Sequence, residues 1–292
     1  MTEEVQAAVA SWKVPVPLTL AILCAAFFYL RGWWRIRLAS PNVVPDWRAF
    51  SFLLGAFSLW LAIGSPIALL DEQLLTVHMV QHLLLMTIGP ALILMGAPVM
   101  PVLHGLPQLF VRSVVGPVFR WHPLQIVGKV LSRPELCWFA AAAALVGWHV
   151  PALFNLALQS HGWHIVEHSS FVAAGFLFWW PVIQPWPSVP VWPRWSMLLY
   201  LFSATLPCDI LSAYLTFCDR VVYPAYLNSP RLSGLSALQD QECAGALMWA
   251  SVTVLYLVPA AHITMCLLAP AFGERNLRQR DWGMDSSRSS RT

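Results

Sequence analysis

Charged side chains are scarce in this 292-residue sequence: Asp, Glu, Lys and Arg make up only 11% of it, whereas 58% is hydrophobic. An ordinary soluble domain contains about 25% charged residues. The deficit excludes a soluble globular domain and predicts an integral membrane protein in contact with the lipid bilayer. The small net charge of +3 gives no reason to expect a nucleic-acid partner.

Several motifs of conventional enzymes are also missing. No Gly-rich phosphate loop and no nucleophilic triad is apparent in the sequence. The six cysteines show no CxxC or CxxxC spacing, so they predict no local dithiol metal motif. A Cys218–Cys243 disulfide is chemically permitted, but the sequence leaves this pairing open. We therefore expect a protein that is not an enzyme.

Seven runs are long and apolar enough to cross about 30 Å of hydrocarbon as helices. Pro90 and Pro98 predict kinks in the third run, because membrane helices tolerate proline. The fold class is predicted to be all-α, a seven-transmembrane helix bundle. The predicted spans are residues 14–30, 50–70, 74–103, 136–158, 163–185, 195–217 and 243–272.

The basic residues predict the orientation of this bundle. In the predicted topology, 14 of the 17 Lys and Arg fall on one side of the membrane and three on the other. By the positive-inside rule, the N-terminus is outside and the C-terminus is cytoplasmic. We expect one membrane domain over residues 1–272, followed by a disordered basic cytoplasmic tail over 273–292.

Polar side chains from four predicted spans share one depth. At about 1.5 Å of rise per residue, His78 and His82 of the third span lie in the outer third of the membrane. His149 of the fourth span and Asp209 of the sixth reach a similar depth, as do His164 and His168 of the fifth. Ionisable residues inside a membrane are costly, which makes them candidates for function.

The histidine spacing favours a shared target. His78 with His82, and His164 with His168, are separated by four residues and so lie on common helix faces. The pairs, with His149, predict a metal or cofactor site in the bundle core, with Glu167 orienting an imidazole from behind. The alternative is a polar packing network. Copper or zinc suits imidazole ligands, with copper favoured by the affinity order.

Three further residues accompany this layer. Met79 offers a thioether beside the histidines, although methionine also fills gaps in apolar cores. Asp240 and Glu242 open the seventh span from the outside. Either they complement the helix dipole, or they attract a cation at the rim and pass it on.

An ordered set of motifs resembles the CtaG-type cytochrome c oxidase assembly factors, a bacterial family of seven-helix membrane proteins. The set comprises "HMVQHLLLM", "GAPVMP", "WHVPALFNLAL", "HGWHIVEHSSF", "FWWPVI", "VVYPAYL" and "DQECAGALMW". The residues that match the motifs are His78, His82, His149, His164, Glu167, His168, Asp240, Gln241, Gly245 and Trp249.

The resemblance implies assembly of a caa-type haem–copper oxidase in the bacterial plasma (inner) membrane, through help in forming its copper centre from the outer face. It implies oxidase subunits as partners, with a copper chaperone as a further candidate. Two other functions stay open from the histidine spacing: a di-iron hydroxylase-like membrane enzyme, and a haem-binding electron carrier with two axial histidines.

Overall fold

The computed structural model describes residues 12–40, 43–186, 192–227 and 234–289, with side chains described as far as residue 269. These residues form helices, turns and connecting segments, and the described part of the chain contains no β-strand. The all-α class predicted from the sequence is therefore confirmed for this part of the chain.

The described ranges contain thirteen α-helices, numbered α1 to α13 in chain order. Short 3₁₀-helices occupy Pro66–Leu69 and Pro224–Leu227, and π-helical segments occupy Leu83–Ile88 and Val111–Val115. The α-helices are α1 (Val16–Ala39), α2 (Asp46–Gly64), α3 (Leu75–His82), α4 (Gly89–Met95), α5 (Val99–Gly105), α6 (Gln108–Phe110), α7 (Gly116–Arg120), α8 (His122–Leu131), α9 (Pro134–Trp148), α10 (Pro151–Gln159), α11 (His161–Ile183), α12 (Ser196–Phe217) and α13 (Ala237–Ser289).

Within the described residues, five helical stretches are long and apolar enough to cross a membrane, and two bent helix pairs raise the number to seven if each pair is one span. The stretches are Val16–Ala39, Asp46–Gly64, Leu75–Met95, Ser196–Phe217 and Ala237–Ala269. Helix α11 has 23 residues but too many polar ones to count among them. These helices indicate a membrane protein with five to seven spans.

The third and fourth predicted spans are interrupted in the structure, and the first predicted span, 14–30, extends to Ala39. The third was predicted to run to residue 103, but α4 ends at Met95 and Ala97 adopts a positive φ of 47°. The fourth was predicted to run unbroken over 136–158, but α9 ends at Trp148 and α10 begins at Pro151. Proline explains both breaks, because Pro98 and Pro151 have no N–H to continue the preceding helix.

The kink predicted at Pro90 takes the form of a π-helical segment. Pro90 cannot donate a hydrogen bond to the carbonyl of Met86, one turn earlier. The chain widens over Leu83–Ile88 immediately before this point. The segment lets α3, the π-helical turns and α4 continue as one long apolar stretch, with His78 and His82 at its beginning.

Close helix packing holds the site elements together. Helix α11 packs against α9, α4 and the π-helical segment, and α13 packs against α12 and α3. At Gly175 of α11, an added Cβ would lie 2.3 Å from the carbonyl oxygen of Met86. Only glycine permits this approach, so it fixes the distance between the helices that carry the two histidine pairs.

The last helix begins earlier than predicted, at Ala237, and is assigned through Ser289. Its side chains beyond residue 269 lie outside the description. The prediction of a disordered cytoplasmic tail over residues 273–292 therefore stays a prediction.

Asp240 of α13 caps a different helix. Its carboxylate accepts hydrogen bonds from the backbone N–H of Leu75 at 2.7 Å and of Thr76 at 3.2 Å, and from the Thr76 hydroxyl at 2.6 Å. Such a side chain satisfies N–H groups that have no partner within their own helix. Asp240 thus anchors the start of α3, one turn before His78.

We expect Asp240→Ala to destabilise the protein by about 2 kcal/mol, because it leaves two buried or partly buried N–H groups without an acceptor. The measurement is thermal unfolding in detergent, compared with Glu242→Gln, which alters a half-buried acid on the same helix. Equal unfolding midpoints for the two variants would contradict the capping role.

Candidate functional site: a buried histidine–carboxylate cluster

Four histidines from two helices converge on one buried carboxylate. His78 and His82 lie on the inward face of α3, and His164 and His168 lie on α11 with Glu167 between them. The four-residue spacing within each pair places its rings together, with centroids 4.2 Å apart on α3 and 4.1 Å apart on α11. The convergence of the pairs predicted from spacing is therefore seen in the structure.

Glu167 is the centre of this arrangement. Its Oε1 lies 3.5 Å from Nε2 of His82 and 3.8 Å from Nε2 of His78, and its Oε2 lies 3.9 Å from Nε2 of His164. His168 completes the group: its ring centroid is 6.2 Å from that of His82. The sequence predicted Glu167 as an orienting partner, whereas the structure places its oxygens among the imidazole nitrogens.

The cluster is buried, and most of its polar atoms have no hydrogen-bond partner among the described residues. Glu167 and His78 have no exposed surface, and His82 is 6% exposed. Within the described residues, both nitrogens of His78 and His82 and both oxygens of Glu167 are buried without a hydrogen-bond partner. Buried polar groups nearly always have partners, so this concentration calls for an explanation.

Aromatic rings close the sides of the cluster. The Phe171 ring lies 4.2 Å from the ring centroid of His82, and the Phe154 ring lies 4.9 Å from that of His78. Both phenylalanines are fully buried. Their apolar surfaces exclude water, which strengthens the electrostatic interactions inside the site.

Asp71 is a site residue that sequence reasoning missed. Its Oδ2 lies 3.4 Å from Nε2 of His164, and the Tyr226 hydroxyl donates a hydrogen bond to its backbone carbonyl at 2.8 Å. Burial, with a smaller contribution from the charge of Glu72, raises the pKa of the Asp71 carboxyl to about 7. A second acidic side chain therefore faces His164 from outside the two long helices. Its signal in the sequence was an acidic residue shortly before the first histidine pair.

His149 stands at the edge of the group, at the break between α9 and α10. Its ring centroid is 5.9 Å from that of His82, and the Tyr223 hydroxyl donates to its backbone carbonyl at 3.1 Å. Tyr223 and Tyr226 belong to the "VVYPAYL" motif, whose role the sequence did not reveal. Through these two tyrosine hydroxyls, the motif anchors the backbone at His149 and at Asp71.

Other predicted site residues lie apart from the converging groups. Asp209 is half-buried on α12, Glu242 is half-buried on α13, and Asp240 is engaged in capping α3. The Asp240 carboxylate does interact with the N-terminus of a helix. That helix is α3, whereas the sequence predicted the helix that carries Asp240 itself. All six cysteines are free thiols in the structure, Cys218 and Cys243 included.

The donor atoms have the spacing that a cation requires. Three groups bring their ligand atoms within 4.8 Å of one another: Asp71 with His78 and His164, His78 with His82 and Glu167, and His164 with Glu167 and His168. Ligands on one Zn²⁺-sized ion, with bonds of about 2.0–2.2 Å, lie roughly 3–4 Å apart. The measured nitrogen–oxygen distances of 3.4–3.9 Å fall in that range.

Fold and site together define a helical membrane protein with a buried imidazole–carboxylate cluster in its core. Residues 27–269 match the family described as "Cytochrome c oxidase caa3 assembly factor (Caa3_CtaG)". This match covers most of the chain. The chain therefore belongs to the caa3 oxidase assembly factor family, as the ordered motifs predicted.

Curated relatives add little about chemistry. The chain is 24% identical to an uncharacterized protein of Mycobacterium leprae over 88% of its length, and 26% identical to uncharacterized proteins of Mycobacterium bovis and Mycobacterium tuberculosis over 85%. It spans about two fifths of these relatives, 39% and 38% of their lengths. No solved structure matches the chain significantly. The hydroxylase and haem alternatives receive no support from these comparisons.

Proposed function

We propose that this protein assists assembly of a caa3-type cytochrome c oxidase by holding a copper ion, as cargo, at the histidine–carboxylate cluster. The ion is then released for the copper centre of an oxidase subunit. The family supports the oxidase as partner, and the donor set supports copper, because imidazole nitrogen binds copper well and the affinity order of divalent ions favours it.

One observation carries this proposal: a glutamate without exposed surface is surrounded by imidazoles and has no hydrogen-bond donor among the described residues. A buried carboxylate that lacks a countercharge is strongly unfavourable. A cation at the centre of the cluster supplies that charge and satisfies nitrogen and oxygen atoms together. A purely structural polar network would instead form hydrogen bonds among its members.

Side chains from two helices and one connecting segment hold the cargo ion. His78 and His82 offer nitrogens from α3, and His164 and His168 offer nitrogens from α11, so binding ties two helices together. Glu167 and Asp71 both present carboxylate oxygens to Nε2 of His164. Among these residues, His164 has the most exposed side chain, at 16%, and so lies nearest to a route out of the cluster.

The proposed topology places this route on the outer side of a bacterial plasma membrane, with seven spans, the N-terminus outside and the C-terminus in the cytoplasm. The distribution of Lys and Arg supports this orientation. A copper chaperone at the outer face would be the donor. Reporter enzymes fused after Glu72 and after Ser132 test the orientation, and a cytoplasmic location for the first fusion contradicts it.

We expect Glu167→Gln to lower copper affinity by about 10–100-fold, because the amide keeps the size of the side chain but removes its charge. The measurement is copper content by mass spectrometry of protein purified in detergent from copper-supplemented cells. Glu242→Gln on α13 is the matched control and should retain the wild-type copper content.

The same preparations separate the alternatives. A haem Soret band in the optical spectrum would favour the haem-binding function over copper binding. Iron in place of copper would favour the hydroxylase interpretation. Equal copper in wild type and Glu167→Gln, or none in wild type, would contradict the cluster as the copper site.

A further inference from the structure

A small cavity lies beside the histidine–carboxylate cluster, and four of its twelve lining residues carry sulfur. Its volume is about 30 Å³, and its walls include Met79, Met86, His82, His149, Cys208 and Met248. By the same measure a water molecule needs about 10–15 Å³, so the space accommodates one metal ion or about two waters. His82 borders both this cavity and the cluster around Glu167.

The sulfur ligands come from four separate elements. Met79 lies on α3, Met86 on the π-helical segment, Cys208 on α12 and Met248 on α13. Met79, Cys208 and Met248 are buried, at 1%, 2% and 4% exposure. Methionine can be ordinary filler in a core. Here, however, three thioethers and a thiol face a common space together with two imidazoles.

The tautomer of His149 distinguishes this cavity from ordinary packing. Its Nδ1 lies 2.7 Å from the backbone carbonyl of Leu145, and a carbonyl can only accept a hydrogen bond, so Nδ1 carries the proton. In the neutral ring, Nε2 then presents its lone pair. That nitrogen lies 3.4 Å from the Met79 sulfur. Two electron-rich atoms thus face each other with no proton between them, which is the arrangement that a soft cation resolves.

Cys208 offers a third soft donor to the same space. Its thiol is buried, and the nearest polar group described for it is the Ser212 hydroxyl at 3.8 Å, which is a weak contact. Thiolate, thioether and imidazole are ligands that suit Cu(I). The carboxylates of the neighbouring cluster, by contrast, are hard donors that suit divalent ions.

We propose that this cavity is a separate Cu(I) site, with Met79 and His149 as its central ligands and Cys208 and Met248 completing it. The inference rests on the proposed copper function and extends it. The protein then has a hard site around Glu167 and a soft site beside it, with His82 shared between them. Copper delivered as Cu(I) occupies the soft site, and no change of oxidation state is part of the proposal.

The test is an anaerobic Cu(I) titration of purified protein against a chromophoric Cu(I) chelator, with Co(II) binding measured in parallel. We expect the Met79→Leu, Cys208→Ser double variant to lose at least about tenfold in Cu(I) affinity and to keep its Co(II) binding. The matched control is Met265→Leu with Cys24→Ser, two exposed positions where neither titration should change. X-ray absorption of the Cu(I) protein should show a sulfur shell that is smaller in the double variant, in which only the methionine sulfurs of Met86 and Met248 remain at the cavity.

The outcomes separate this inference from the proposed function. Unchanged Cu(I) affinity in the Met79, Cys208 variant would overturn the soft site and leave the cluster standing. Co(II) binding without any Cu(I) binding in wild type would do the same. Binding of neither ion would overturn both proposals. A Met79→Leu single variant is a milder change of similar volume, so a folding defect in the double variant does not decide the result.

Discussion

Cells whose only copy of this protein carries His78→Ala and His82→Ala should lose caa3 oxidase activity by at least about tenfold, the lower limit typical for disturbing a metal site. The double change removes both imidazoles that α3 contributes and leaves Glu167 facing only His164 and His168. Helix α3 then offers no imidazole to a cation that balances the buried carboxylate. The loss should appear in copper content and activity of the oxidase, and not in the level of its transcripts.

The control for this experiment removes two histidines from exposed positions. His161→Ala with His262→Ala deletes the same number of imidazoles, and both side chains lie outside the cluster. Oxidase activity should be unchanged. Copper added to the medium should partly restore activity to the His78, His82 variant if the defect is one of copper supply. An oxidase with full activity and full copper in that variant would show that the cluster has no part in assembly.

Helix type and histidine convergence could be predicted from the sequence because both follow from local periodicity. Long apolar runs indicate helices, and the spacing of His78 with His82 and of His164 with His168 fixes their shared faces. The predicted topology also placed both pairs at the same depth in the membrane, so the two pairs were expected to converge. The copper assignment, the orientation and the tail over residues 273–292 stay predictions, since neither the structure nor the comparisons test them.

What the sequence could not reveal depends on contacts between distant segments. Asp71 reaches the cluster because the connection between α2 and α3 folds inward, and Asp240 caps a helix 165 positions away. Neither partnership leaves a periodic signal. The break at His149 was missed for a different reason. The apolar run continues across it, although Pro151 was a visible marker of a new helix start.

Gly175 offers a test of the site that changes none of its ligands. An added Cβ would lie 2.3 Å from the Met86 carbonyl oxygen and 2.8 Å from Cγ of Pro90, both on the long stretch that carries His78 and His82. A backbone carbonyl cannot rotate away as a flexible side chain can, so α11 must move outward. That movement separates His164 and His168 from their partners on α3.

We expect a graded loss at this position: Gly175→Ala should cost about 1–3 kcal/mol of stability through overpacking, and Gly175→Leu should abolish the folded protein or its copper binding. Gly162 is the matched control on the same helix, because the only atom described near its Cβ position is the Ser160 hydroxyl oxygen at 3.9 Å. Gly162→Ala should be neutral or stabilising by up to about 1 kcal/mol, as expected when alanine replaces an exposed helical glycine. Thermal unfolding and copper content measure both series. If Gly175→Ala retained wild-type stability and copper, the close approach of α11 to the π-helical segment would not be what sets the geometry of the cluster.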